Sequence, residues 1–200
     1  DLSVSLDNVG GVARAQGDWS QAEAVYRESL ALSRQLVERL GATPDSLRDL
    51  SVSLNNVGGV ARAQGDWSQA EAVYRESLAL RRQLVERLGA TPESLRDLSV
   101  SLTNVANVEQ QHGTRDHERE ALVEAAGLLR RRAALLNGVA AVEAVFPEVL
   151  LRLAELDAAQ ASDLLREARA AVAFLPEADR EAWAARIDAA SQGSASHASG

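Results

Sequence analysis

Apolar residues recur at the spacing of an α-helix along most of the chain. In residues 44–64 they follow positions i, i+3, i+7, i+10 and i+14, which places one stripe along a helix: Leu47, Leu50, Leu54, Val57 and Ala61. Residues 66–88 carry a second stripe of this kind: Trp67, Ala70, Tyr74, Leu78, Val85 and Leu88. No segment alternates apolar and polar residues in the two-residue period of a β-strand. The pattern predicts an all-α protein.

Capping and turn residues indicate where these two helices begin and end. Thr43 is placed to cap the first helix, with Pro44 at its first helical position and Gly65 after its end. Asp66 is placed to cap the second helix, and Gly89 ends it. Extended to the whole chain, the pattern predicts helices over about residues 2–15, 18–40, 44–64, 66–88, 92–112, 115–136, 139–156, 159–174 and 177–190.

The helix pair recurs with a period of 48 residues. The sequence DLSVSL begins at Asp1, Asp49 and Asp97. Residues 1–48 and 49–96 differ at only three pairs of positions: Asp7 and Asn55, Ser33 and Arg81, Asp45 and Glu93. Two antiparallel helices cannot bury both faces alone, so each pair is expected to stack on the next.

The third copy diverges along its length. It keeps the pattern over residues 97–105, and Gly113 still matches Gly65. We predict that a one-residue insertion then shifts the alignment, so that Leu-Arg-Arg at 129–131 matches the same triplet at 80–82. Divergence is typical of the terminal repeats of a solenoid. We therefore expect copies one and two to share one structure and copy three to differ after Gly113.

Small, aromatic and turn residues recur at fixed spacings in the first two copies. In copy two they form LNNVG at 54–58, AQGDW at 63–67, QAE at 69–71, VY at 73–74, SL at 77–78, LG at 88–89 and Pro92. This set resembles the tetratricopeptide repeat, in the long variety found in kinesin light chains and many bacterial proteins. The resemblance implies a right-handed α-solenoid of antiparallel helix pairs. The simple repeat has about 34 residues, so both helices are extended here.

The sequence divides into three parts. Residues 1–137 are predicted to form three extended repeats, over 1–48, 49–96 and the divergent 97–137. Residues 138–191 are predicted to form a degenerate fourth repeat and a C-terminal capping helix, with a bend or break near Phe146-Pro147. The Ser- and Gly-rich residues 192–200 have little to bury and are expected to be disordered.

Composition excludes several classes of function. The chain has no Cys, and all 21 basic residues are Arg, which rules out disulfides, thiolate metal sites and catalysis by Cys or Lys in this sequence. A net charge of −8 argues against binding nucleic acid. No apolar run reaches the roughly 20 residues of a membrane span, and the N-terminus lacks a signal-peptide pattern. We expect a cytoplasmic protein that does not bind membranes.

Candidate catalytic residues are few. His112 and His117 flank Gly113, and Glu118 or Glu120 could complete a metal site, although exposed turn histidines are the commoner explanation. No Gly-x-Ser-x-Gly motif is present. Carboxylates that recur with the repeat are typical of a solvated helix face. We predict no catalytic residue, no metal and no cofactor.

A second stripe on the first helix of each pair lies roughly 140° from the packed one. By resemblance to tetratricopeptide proteins, this stripe lines a concave groove that binds an extended or helical peptide. Its residues are Val4, Asp7, Gly11 and Arg14 in copy one, Arg48, Val52, Asn55, Gly59 and Arg62 in copy two, and Val100, Thr103, Asn107 and Gln110 in copy three. The change from Asp7 to Asn55 is either tuning for a ligand or neutral drift. A lysine-rich clamp for C-terminal carboxylates has no counterpart.

These observations predict a non-catalytic scaffold that binds a protein or peptide. One alternative is the sensor or scaffold arm of a larger bacterial signalling or defence protein; the absence of Met and the position of Asp1 inside a helix favour it. Another is self-association through the first helix, whose edge lacks a preceding helix pair. The residues of that edge are Leu2, Leu6, Val9 and Val12.

Overall fold

The structure is a computed structural model that describes residues 2–136 and 144–197, and within these ranges it contains nine α-helices and no β-strand. The helices are α1 (Leu2–Ala15), α2 (Trp19–Leu40), α3 (Pro44–Ala63), α4 (Trp67–Leu88), α5 (Pro92–His112), α6 (Arg115–Leu135), α7 (Val145–Leu156), α8 (Ala161–Val172) and α9 (Glu177–His197).

The helices pack as consecutive antiparallel pairs: α1 with α2, α3 with α4, α5 with α6 and α7 with α8. We call the first helix of each pair helix A and the second helix B. Each of the first three B helices also packs against helix A of the next pair, so the pairs stack in chain order. Helix α9 packs against α8 and α7 after the last pair. The prediction of an all-α solenoid with a C-terminal capping helix is confirmed.

The predicted caps define the helix ends. The Thr43 hydroxyl accepts a hydrogen bond from the Ser46 backbone N–H at 3.2 Å, with Pro44 in the first turn of α3. The Asp66 carboxylate accepts one from the Gln69 N–H at 3.0 Å at the start of α4. The glycines that follow helix A in the first two pairs adopt the left-handed conformation that ends a helix. They are Gly17, with φ of 78°, and Gly65, with φ of 79°.

Helix B of the third copy keeps the register of the second copy. The buried residues of α4 are Ala70, Val73, Tyr74, Ser77, Leu78, Arg81 and Leu84. Each buried residue of α6 lies 48 positions later: Glu118, Ala121, Leu122, Ala125, Ala126, Leu129 and Arg132. A shift of one residue would rotate this face by about 100°. The predicted one-residue insertion, which would align residues 129–131 with residues 80–82, is therefore wrong. The two triplets have the same sequence but do not occupy equivalent positions in the packing.

The turn of the third copy does differ from that of the second. Gly113 is extended, with φ of −95°, whereas Gly65 has a positive φ. Helix α5 ends at His112, one residue beyond the position equivalent to Ala63. Thr114 replaces an aspartate as the N-cap of α6. The divergence after Gly113 thus changes the turn but leaves the packing register of helix B unchanged.

The predicted helix ends differ most from the structure in the C-terminal part. Helix α7 begins at Val145, so Pro147 lies in its first turn, where a missing N–H costs no hydrogen bond, and it does not divide the helix. Residues 139–143, predicted as helical, lie outside the described residues. Helix α9 continues to His197, although a disordered tail was predicted over 192–200. The helix can continue because no proline after Pro176 interrupts it and each added residue gains one backbone hydrogen bond.

Candidate interaction surface

A glycine in helix A and a tyrosine in helix B set the spacing within the first two pairs. A Cβ atom added to Gly58 would lie 2.5 Å from Cε1 of Tyr74, and one added to Gly10 would lie 2.4 Å from Cε1 of Tyr26. Both rings therefore pack directly against the backbone of helix A, and both tyrosines are buried. The Tyr74 hydroxyl comes within 3.9 Å of a Cβ built on Gly59, a residue of the predicted stripe.

Two arginines of the stripe, Arg14 and Arg62, are exposed next to these tyrosine hydroxyls. The Arg62 guanidinium lies beside the Tyr74 hydroxyl and acts on it electrostatically, as does Arg14 of the preceding pair. Burial raises the pKa of Tyr74, and the two positive charges partly oppose this rise. Within the described residues, neither arginine forms an ion pair with a carboxylate. The fold therefore brings two cations and a phenol together at this surface.

The stripe position that changes from Asp7 to Asn55 is half-buried in both copies. The Ser29 hydroxyl donates to Asp7 Oδ1 at 2.9 Å, and Ser29 and Ser33 lie 3.2 and 3.0 Å from the hydroxyl of Ser53. The equivalent Oδ1 of Asn55 is buried without a hydrogen-bond partner among the described residues. This position therefore adjoins the polar contacts between packed helices and is not part of an open surface.

The other stripe residues of copies two and three vary in exposure. Val52 is 37% exposed, and Arg48 forms an ion pair with Asp45 at 3.0 Å. Val100 and Thr103 are half-buried, and the Thr103 hydroxyl donates to the backbone carbonyl of Ser99 at 2.9 Å. The side chain of Val4 lies outside the described part of the chain. The stripe is thus accessible at some positions and engaged in contacts with the fold at others.

Asn107 and Gln110 lie at the wall of a cleft of about 410 Å³ between α5, α7 and α9. Asn107 Oδ1 accepts a hydrogen bond from Arg152 Nη1 at 2.6 Å, whereas Gln110 is exposed. The cleft is lined by Asn107, Gln110, Glu148, Leu151, Arg152, Glu155, Arg186, Ala189 and Ala190. The C-terminal helices therefore supply most of this surface, and none of their residues was predicted from the sequence.

Arg152 is a buried residue that links the third copy to the C-terminal part. It is 8% exposed and donates to Asn107, to the carbonyl oxygen of Ala106 at 3.2 Å and to the buried carboxylate of Glu118. A lone arginine inside the apolar sequence VFPEVLLRLAEL could have indicated a buried ion pair. Its partner could not be found that way, because the pairing depends on which helices meet in space.

The two turn histidines have partners within the protein. The His112 ring lies 5.5 Å from the Trp67 ring, and His117 Nδ1 lies 3.5 Å from Glu109 Oε2. Glu109 is 5% exposed and also accepts a hydrogen bond from Arg75 at 2.5 Å. No group of three or more His, Asp or Glu residues suited to a metal ion occurs in the part of the chain that the structure describes.

The Tetratricopeptide repeat family matches residues 1–83 of the chain. No curated protein matches it. Among solved structures, the crystal structure of BtubC (BKLC) from P. vanneervenii is similar to this one with a TM-score of 0.70 and 19% sequence identity. That similarity covers 96% of this chain and 72% of BtubC.

Two further solved structures give lower scores. The de novo designed helical repeat protein DHR64 has a TM-score of 0.43 at 18% identity, over 98% of this chain and 90% of the other. The DHF58 filament has a TM-score of 0.43 at 16% identity, over 96% and 95%.

The family match and the similarity to BtubC agree with the helical-repeat fold. Folds of the tetratricopeptide type generally serve as non-catalytic scaffolds for protein interactions. Among the helices of residues 2–136 and 144–197, none combines the length and apolar character that crossing a membrane requires.

Proposed function

We propose that this protein is a non-catalytic scaffold that binds a protein or peptide along the stripe formed by α1, α3 and α5. One observation carries the proposal: exposed polar side chains recur on successive A helices, one repeat apart, at Arg14, Arg62 and Gln110. An elongated ligand that crosses successive A helices meets one of these side chains in each pair. The cleft beside Gln110 extends the same surface toward α9.

The charges on the stripe favour a ligand with an acidic side chain. Arg14 and Arg62 are exposed and have no carboxylate partner within the described residues, and the Tyr74 hydroxyl lies beside them. Guanidinium groups bind carboxylates through paired, charge-assisted hydrogen bonds. The missing lysine clamp disfavours a C-terminal carboxylate, so we propose that the ligand presents an internal Asp or Glu at this point. The rest of the stripe contributes amide groups and the side chain of Val52.

Selection of peptides tests this proposal without knowledge of the natural partner. A random peptide library is selected against the full chain, and the selected peptides are measured for affinity to variants. We expect Arg62→Glu to weaken binding at least tenfold, since it replaces an attractive charge with a repulsive one. Arg39→Glu is the matched control, because Arg39 is also exposed but lies at the end of α2, away from the stripe. Equal affinities for both variants would contradict the proposal.

The exposed edge of α1 favours self-association as a second candidate function. Leu2 is 61% exposed and Val12 is 57% exposed, and apolar surface of this kind is commonly covered by a partner. Analytical ultracentrifugation over a range of concentrations tests it, with a monomer–dimer equilibrium as the expected result. A single monomeric species throughout would rule out this second candidate.

A further inference from the structure

A cavity of about 450 Å³ lies between α4, α5 and α6, and we call it the B-helix cavity. Its apolar floor includes Leu78 of α4 together with Leu102 and Val105 of α5. Arg75 and Arg82 of α4 lie along one edge. None of the residues that line it belongs to the stripe of Arg14, Arg62 and Gln110, so it is a separate surface of the protein.

The equivalent groove one repeat earlier, between α2, α3 and α4, provides an internal comparison. The two edge arginines are conserved between the grooves, since Arg27 and Arg34 lie 48 residues before Arg75 and Arg82. The lining residues that differ are Glu109, His117, Glu120 and Ala121, which replace Ala61, Gln69, Ala72 and Val73. These replacements add two carboxylates and an imidazole to the groove and remove one bulky side chain.

The change from valine to alanine provides space in the cavity. Val73 is buried in copy two, at 9% exposure, and its equivalent Ala121 lacks two methyl groups. Leu102 and Val105 beside it are also buried, at 1% and 8% exposure, and are the same residue types as Leu54 and Val57 of copy two. The space therefore results from a change at one position rather than from a different floor.

The charges around the cavity leave one carboxylate without a partner. Arg75 pairs with the buried Glu109 at 2.5 Å, and Arg82 pairs with Glu124 at 2.6 Å. Glu120 is exposed at the edge of the cavity, and it forms no ion pair with any residue that the structure describes. The cavity thus combines an apolar floor, cations that are already paired and a carboxylate that can accept a further cation.

A basic side chain has the shape and charge that this arrangement accepts. Lysine and arginine lay an aliphatic stem on apolar surface while the charged head reaches a carboxylate. Seven residues of α4 separate Arg75 from Arg82, which is about 10 Å along the helix and leaves room for peptide on either side of the stem. The chain's own net charge of −8 disfavours a second copy as the source of this side chain.

We propose that the B-helix cavity is a docking site for a basic side chain of a partner protein. The stem lies on Leu102, Val105 and Ala121, and the charged head pairs with Glu120. The site does not depend on ligand binding to the stripe, so Arg62→Glu should leave it unaffected. Failure of this proposal and failure of the stripe proposal are therefore distinguishable.

The test uses capped tripeptides and the full chain, with NMR titration of the Ala121 methyl group and the His117 ring. We expect the tripeptide Ala-Lys-Ala to give saturable shifts at these two residues. The same tripeptide with norleucine in place of lysine keeps the stem but lacks the charge, and it should bind about three- to fivefold more weakly. Free n-butylammonium should also bind more weakly, because it lacks the flanking peptide.

Two variants locate the site. Glu120→Gln should weaken binding of the lysine tripeptide about three- to fivefold. Glu28→Gln is the matched control, since Glu28 is likewise exposed and unpaired within residues 2–136 and 144–197, but lies on α2. Ala121→Val restores the side chain found in copy two and should abolish saturable binding. Circular dichroism checks that the variants remain folded.

Four results would overturn the proposal. The first is the absence of saturable shifts at Ala121 and His117, and the second is an affinity that neither Glu120→Gln nor Ala121→Val changes. The third is a norleucine tripeptide that binds as tightly as the lysine tripeptide, which would show that charge plays no part. The fourth is n-butylammonium binding as tightly as the tripeptide, which would identify a free amine as the occupant.

Discussion

At the scale of single residues, the contact between Gly58 and Tyr74 explains why a helix contains two consecutive glycines. A Cβ on Gly58 would overlap the Tyr74 ring, whereas one on Gly59 would meet only the Tyr74 hydroxyl at 3.9 Å. In the third copy the equivalent pair is Ala106 and Leu122, and both residues are fully buried. The glycine and the tyrosine therefore change together, which indicates that they pack as a unit.

The first prediction concerns this unit. Gly58→Ala should destabilise the protein by about 1–3 kcal/mol, because the ring cannot move away from the added methyl group without strain. In a Tyr74→Leu background, Gly58→Ala should destabilise the protein less than half as much. The third copy already combines an alanine with a leucine at these two positions, as Ala106 and Leu122. The measurement is the free energy of unfolding in urea.

Gly59→Ala is the control for this experiment. It should leave the protein as stable as before or raise its stability by about 1 kcal/mol, since Ala favours helix more than Gly does. Equal destabilisation by Gly58→Ala in the two backgrounds would show that Tyr74 is not the cause.

Two equivalent carboxylates, Asp49 and Asp97, differ in their partners. Arg81 forms an ion pair with Asp97, whereas the equivalent residue of copy one, Ser33, brings no charge to Asp49. Burial, together with the negative charge of Asp45, raises the pKa of Asp49 above its ordinary 3.8. The folded state thus holds this proton more tightly than the unfolded state. The contribution of this proton to the free energy of unfolding is present below pH 3.8 and is lost as the pH rises through the folded-state pKa of Asp49.

The second prediction concerns a variant of copy one that carries the arginine found at the equivalent position of copy two. Ser33→Arg should lower the pKa of Asp49, because the guanidinium favours the ionised carboxylate. Titration of the Asp49 carboxyl carbon by NMR measures the shift, and Ser33→Gln controls for the size of the new side chain. An Asp49 pKa that stays the same in the arginine variant would contradict the pairing seen at Arg81 and Asp97.

At the scale of helices, the first six followed from periodicity and caps, because two nearly identical copies repeat the same local signals. Thr43, Asp66 and Gly65 act through neighbours within a few residues, which a sequence displays directly. The buried ion pairs between the third copy and its neighbouring helices did not follow. Glu109 and Glu118 stand where copies one and two have buried alanines, and their arginine partners lie on other helices.

Candidate surface residues were only partly predictable for the same reason. The helical period placed Arg14 and Arg62 on one side of helix A, and both are exposed. Asp7 and Asn107 lie on the same stripe, but Ser29 and Arg152 from neighbouring helices bind them. A stripe on one helix cannot show which of its side chains a packed neighbour will reach.

The third prediction concerns the helix contact made by Arg152. Arg152→Ala should destabilise the protein by about 3–5 kcal/mol, since it leaves the buried carboxylate of Glu118 without its cation. Glu118→Ala combined with Arg152→Leu should recover most of this loss, because Ala70 occupies the equivalent position in α4. Thermal unfolding of the single and double variants measures both effects. A double variant as unstable as Arg152→Ala would show that the arginine acts in some other way.

At the scale of the whole molecule, apolar packing holds the pairs together. A ladder of three ion pairs joins successive B helices and favours one register: Arg34 with Glu76, Arg82 with Glu124 and Arg130 with Glu167. The ladder arginines and glutamates are roughly one-third to one-half exposed, and exposed ion pairs are worth about 0–1 kcal/mol each. Burial of a single leucine or valine contributes about 1.5–3 kcal/mol. The stack therefore depends on faces such as that of Leu50 and Val57, and the charges favour one register over its alternatives.

The stack leaves two kinds of surface, the edge of α1 and the stripe across α1, α3 and α5. We propose that the stripe binds the ligand, and amide chemical-shift mapping of the chain with a selected peptide tests this proposal. We predict that the largest shifts follow the stripe from Arg14 through Arg62 to Gln110 and continue into the cleft beside Arg152. Shifts confined to the outer faces of the B helices, with Arg14 and Arg62 unchanged, would show that the ligand binds elsewhere.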